Sequence, residues 1–121
     1  MKTLKQKGEV IKEIAFKYKS NLSKLIKDGK NYENLKFGLK ATSDAYSLEN
    51  LPNNLDEQTK YLFLVKLTLD AIGEKEKEIL NGDFFFPQKK KWWAVQYSPA
   101  VYYKARAKAI DDFYILSKIW A

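Results

Sequence analysis

Six cationic side chains, Lys89, Lys90, Lys91, Lys104, Arg106 and Lys108, fall within twenty residues, with Tyr102 and Tyr103 among them. Cations at this density suit phosphate, where they supply affinity that carries no sequence information. A tyrosine or lysine can stack on or donate to a base, and a small alanine lets the backbone approach a groove closely. On this chemistry Ala100, Tyr103, Lys104 and Ala107 are the candidates for base contacts. Lys89, Lys90, Lys91, Arg106 and Lys108 are the candidates for phosphate contacts. Arg106 borders an apolar stripe, so it suits a phosphate as well as a base.

Other chemistries are poorly provided for. The chain has no cysteine and no histidine, which removes disulfides, thiol nucleophiles, imidazole bases and zinc sites with ordinary ligands. Asp111-Asp112 is the only acidic pair after residue 87. Adjacent residues do not share a helix face, so the two cannot converge as a catalytic dyad. Pairing with Lys104, Lys108 or Lys118 suits them better. No glycine-rich phosphate loop appears. The expectation is a protein without catalysis, cofactor or metal.

The elements that must position these residues read as helices. Ser98 can cap a helix through its hydroxyl, and Pro99 suits the first helical position. From there Tyr102, Ala105, Ala109, Phe113, Leu116 and Trp120 recur at steps of three and four, the helical period. The opposite face presents Tyr103, Lys104, Ala107 and Lys108. A short helix from Pro87 to about Gln96 would precede this one, and before it a helix from Glu74 to Leu80 that Asn81-Gly82-Asp83 could end. Phe84, Phe85 and Phe86 either continue that helix irregularly or pack as a plug, and they are also the candidate protein-contact surface. Trp92 and Trp93 read as core and boundary residues.

Upstream, Lys2 to Asp28 reads as one amphipathic helix, with Leu4, Ile11, Ile14, Tyr18, Leu22 and Leu25 on one side. Gly8 would delay its start to about Glu9, and Gly29 would cap its end. Asn31 to Lys40 reads as a short helix and Thr42 to Asn54 as a loop. Asn54 then caps a helix over Leu55 to Ile72 that stops at Gly73. Its residues Tyr61, Leu62, Leu64, Val65, Leu69 and Ile72 cover more than half the circumference, which places it centrally. The fold class is therefore all-α, a small bundle of about five or six helices ending in a helix-turn-helix. The division is residues 1–54, a basic amphipathic helix with an irregular connection, and 55–121, the helix-turn-helix domain.

The net charge of +7 is unevenly spread. Residues 1–40 hold eleven lysines against four acidic residues, 41–86 hold four against nine, and 87–121 hold seven basic against two acidic residues. Attraction to a polyanion is thus concentrated at the two ends. Usage rich in Lys, Asn, Ile and Tyr is also what A+T-rich coding yields, so total charge alone assigns no partner. Aromatic residues make up 15% of the chain. No apolar run could span a bilayer and no signal-peptide core opens the chain, so a cytoplasmic protein without membrane contact is expected.

Glu74-Lys75-Glu76-Lys77-Glu78-Ile79-Leu80, the aromatic break, Trp92-Trp93, and Ser98 with Tyr102, Tyr103, Ala109 and Phe113 together resemble the C-terminal half of the ArpU/RinA-type phage transcriptional regulators. Those in turn are similar to region four of bacterial sigma factors, and a group of mollicute proteins has a similar tail. The resemblance covers roughly residues 55–120. It implies a small transcriptional regulator on double-stranded DNA, with Tyr103, Lys104 and Arg106 facing the duplex. Two departures stand out: Pro99-Ala100-Val101 offers almost no hydrogen-bonding groups, and Phe84-Phe85-Phe86-Pro87 is unusually apolar. They favour an alternative in which the sigma-like fold docks on RNA polymerase or another transcription factor.

Overall fold

The computed structural model describes residues 2–27 and 57–121. Among them the chain is all-helical, with four α-helices and no strand. These are α1 (Leu4–Lys27), α2 (Glu57–Ala71), α3 (Glu74–Leu80) and α4 (Pro99–Ser117). Between α3 and α4 lie a π-helical turn, Asn81–Phe85, and a 3-10 turn, Trp92–Val95. The expected cap at Gly29, the short helix over Asn31–Lys40, the loop over Thr42–Asn54 and the Asn54 cap lie outside the described residues.

α1 starts earlier than Gly8 suggested. The Thr3 hydroxyl accepts from the Gln6 amide at 3.2 Å, while the Gln6 side chain accepts from the Thr3 amide at 2.8 Å. This reciprocal pair satisfies two otherwise unpartnered donors and nucleates the helix at Leu4. The helix then runs through Gly8, where a Cβ would meet nothing. Ile11, Ile14, Tyr18 and Leu22 are buried as the period requires, but Leu4 is 41% exposed. It sits about two turns before Ile11, the first core residue of the helix.

α2 buries Leu62, Leu64, Val65, Leu67, Thr68 and Leu69, residues that point around most of its circumference. Thr68 is buried but satisfied: its hydroxyl donates to the Leu64 carbonyl at 2.7 Å and accepts from the Trp120 indole at 3.0 Å. α4 buries Tyr102, Ala105, Ala109 and Phe113 as expected, with Ile110 and Ser117 added. Leu116 and Trp120 are partly buried against the main core. That core joins α1, α2, the π turn and α4, with Phe85 and Phe113 fully buried at 5.6 Å between ring centroids. Side chains of this size contribute about 1.5–3 kcal/mol each on burial.

Two local expectations change. The chain does not end its winding at Asn81-Gly82-Asp83. It takes the other course expected for this segment, an irregular continuation. This is the π turn, which reaches Phe85, buries Phe84 and Phe85 and leaves only Phe86 substantially exposed, at 47%. The expected helix from Pro87 to Gln96 is reduced to the 3-10 turn. Lys91 adopts the left-handed conformation (φ 57°, ψ 33°) immediately before it, which interrupts regular winding. Two indoles must be delivered there, one onto Gly82 and one onto Tyr102, and this packing outweighs helix propensity.

Candidate nucleic-acid interface

α4 begins as its sequence dictates. Ser98 is extended, its hydroxyl accepts from the Val101 amide at 3.3 Å, and Pro99 opens the helix. The inner side of this first half is organised by Asp83. One carboxylate oxygen accepts from the Trp92 indole at 2.9 Å, and the other accepts from the Tyr102 hydroxyl and from Arg106 Nε at 3.1 Å. The Arg106 guanidinium also lies over the Phe84 ring, 5.2 Å from its centroid. Gly82 makes room for this arrangement, since a Cβ there would collide with the Trp92 indole. Burial, followed by the hydrogen bond to Asp83, pushes the Tyr102 phenol well above its usual range.

A second, smaller core forms here from Ile79, Trp93, Tyr102 and Ala105. Trp93 stacks on Tyr102 with ring centroids 4.1 Å apart and planes within 8°. Tyr103 then stands edge-on to both rings, 5.8 Å from Trp93 and 5.0 Å from Tyr102. It is nevertheless 60% exposed. The three rings therefore form a ladder that runs from the buried side of α4 to its surface.

The outer face of the first two turns carries Ala100, Tyr103 and Lys104, all exposed, and Ala107, half-buried. Lys89, Lys90 and Lys91 are exposed on the segment that leads into the 3-10 turn. The Lys89 and Lys91 carbonyls accept from the Trp92 and Ala94 amides, so these lysines lie within a turn of the indole stacked on Tyr102. Among the described residues Lys89, Lys90, Lys91 and Lys104 make no ion pair, whereas Lys7, Lys12, Lys66, Lys77, Arg106 and Lys108 all do.

The expected phosphate set thus divides. Lys89, Lys90 and Lys91 are unencumbered. Arg106 is engaged by Asp83, and Lys108 pairs with Asp112 at 2.7 Å and Glu76 at 3.8 Å. Asp111 and Asp112 diverge, as two adjacent helical residues must: Asp112 goes to Lys108, and Asp111 goes to Lys7 of α1 at 2.8 Å. The protein-contact surface expected at Phe84, Phe85 and Phe86 is not assembled, because Phe84 and Phe85 are 5% and 0% exposed. They lie in the main core. Sequence reasoning missed Asp83. Its one usable signal was an acidic residue beside a glycine at the end of a helix, and nothing in its spacing pointed to Trp92, Tyr102 or Arg106.

No helix among the described residues is long and apolar enough to cross a membrane. Comparison with protein-family models, with curated proteins and with solved structures found no match.

Proposed function

We propose that the chain is a non-enzymatic DNA-binding protein, a transcriptional regulator that meets the duplex with the exposed start of α4 and the lysines before it. One observation carries this reading: the unpaired set Lys89, Lys90, Lys91 and Lys104. Arg106 and Lys108 beside them are paired within the fold. These four make no ion pair among the described residues and lie exposed together around the start of α4, open to an external anion. In this reading the 3-10 turn and α4 make a helix-turn-helix whose middle helix has contracted to a single turn. Lys89, Lys90 and Lys91 hold the backbone, while Ala100, Tyr103, Lys104 and Ala107 face the bases. Arg106 acts from within, by holding α4 to Asp83.

Duplex binding measured by fluorescence anisotropy between 50 and 200 mM salt tests this. Affinity is expected to fall steeply, and replacing Lys89, Lys90 and Lys91 by Ala should reduce the log–log salt slope by about 3. The fold should be unchanged, within about 0.5 kcal/mol by urea unfolding. Absent binding, or an affinity indifferent to salt, would end the proposal.

A second reading, docking on RNA polymerase or another transcription factor, rests on a different surface. Ile115, in the last turn of α4, and Ile119, in the turn that follows the helix, are 60% and 61% exposed. Polymerase capture that survives high salt and nuclease, and is abolished by Ile115→Asp with Ile119→Asp, would favour it over DNA.

A further inference from the structure

The outer face of α4 is poorly equipped to read a closed duplex. Base pairs offer only their edges to a groove, and edges are read by hydrogen-bonding side chains. Over the first two turns the exposed residues are Pro99, Ala100, Val101, Tyr103 and Lys104. Only the last two bring a side-chain donor. What the face does offer is an aromatic ring in water. Tyr103 is 60% exposed, and edge contacts to Trp93 and Tyr102 at 5.8 and 5.0 Å restrain it. A ring already held in place loses little freedom on receiving a ligand. Val95 and Val101, 95% and 44% exposed, add apolar surface near it in sequence.

Resting on the nucleic-acid reading above, we infer that this site takes single-stranded or locally unpaired nucleic acid, with a base stacked on Tyr103 and the adjoining phosphates on Lys89, Lys90, Lys91 and Lys104. Stacking needs the face of a base, which pairing within a duplex covers and strand opening uncovers. The four unpaired lysines supply the charge complementarity for the strand that carries that base. Base identity is a secondary matter in this arrangement, because every base has a stacking face.

The test compares fluorescein-labelled oligonucleotides of one sequence as single-stranded DNA, single-stranded RNA, duplex DNA, and duplex DNA with a three-nucleotide bulge, all at one salt concentration. Tyr103→Leu should weaken single-strand and bulge binding about tenfold or more, and weaken duplex binding by a clearly smaller factor. Tyr103→Phe, which keeps the ring, should restore the wild-type affinity. Tyr103→Trp should add indole emission to that of Trp92, Trp93 and Trp120, and single strands should quench the variant more than they quench the wild type. Duplex bound as tightly as single strands, or a Leu variant indistinguishable from wild type on single strands, would overturn this inference and leave duplex DNA binding standing. Failure to bind any of the four would overturn both. Preference for the RNA strand with the same Tyr103 dependence supports the stacking site and assigns it to RNA.

Discussion

The two sides of the first half of α4 are built on opposite principles. On the inner side Tyr102 and Arg106, together with Trp92 from the preceding turn, converge on the single carboxylate of Asp83. On the outer side Lys104 and the three preceding lysines have no acidic partner among the described residues, and Tyr103 stands edge-on to two rings while largely exposed. Residues of the same types, one position apart, thus carry different duties. Buried polar groups are costly unless they are satisfied, so the inner side closes on itself. The outer side can keep its charges unpaired because water solvates them, and so they remain available to a ligand.

The most severe way to break this contrast is to remove the inner acceptor. Asp83→Ala leaves the Tyr102 hydroxyl, the Trp92 indole and the Arg106 guanidinium without their shared partner. It should lower the unfolding free energy by about 2–4 kcal/mol. Urea denaturation followed by indole fluorescence measures this, and a loss below about 0.5 kcal/mol would show that Asp83 is not the hub. Gly82→Ala attacks the same arrangement from below by displacing the Trp92 indole, and should cost about 1–3 kcal/mol. If Gly82→Ala is neutral, Trp92 does not depend on its seat against the glycine.

A smaller change of opposite sign separates strain from charge in the lysine segment. Lys91 is the only described non-glycine residue with a positive φ, a conformation that costs a side-chain-bearing residue about 1 kcal/mol. Lys91→Gly should therefore stabilise the fold by up to about that amount, while lowering the salt slope of duplex binding by about 1. Stabilisation without loss of slope would place Lys91 outside the phosphate contacts.

The weakest effect is alkaline. Burial pushes the Tyr61 phenol up to about 12, and burial with the Asp83 bond raises Tyr102 further. Both groups hold their protons more tightly folded than unfolded, so their contribution is complete below pH about 10, the ordinary phenol value, and is lost as pH rises beyond it. Urea midpoints at pH 8, 10 and 11 should fall across the last interval, and Tyr61→Phe with Tyr102→Phe should flatten the fall. A midpoint that rises over that interval would contradict the assignment.

Much of the helical frame can be read along the chain because its causes are local. Ser98 and Pro99 begin α4, Gly73 separates α2 from α3, and the stripe from Tyr102 to Phe113 is buried as its period requires. Even the early start of α1 was written locally, in the Thr3–Gln6 pair, a pattern easily overlooked beside the apparent obstacle of Gly8. The region from Asn81 to Gln96 was less legible. Three phenylalanines and two tryptophans in a row have no clear period, and their placement depends on what they meet. Phe85 meets Tyr18 and Phe113, Trp92 meets Gly82 and Asp83, and Trp93 meets Tyr102.

The amino-acid order by itself determined the all-helical class, the start of α4, its buried stripe and the identity of the cations beside it, because caps, periods and charges are properties of neighbours a turn apart. Only the tertiary structure decided which of those cations are free. Arg106 is bound by an acid 23 positions earlier, and Asp111 is neutralised by a lysine 104 positions away. The Lys108–Asp112 pair, four positions apart on one helix, could be read along the chain, but these long-range pairs depend on distance in space that no spacing encodes. The four lysines and the tyrosine left facing water are therefore a product of the fold, although every one of them is visible in the sequence.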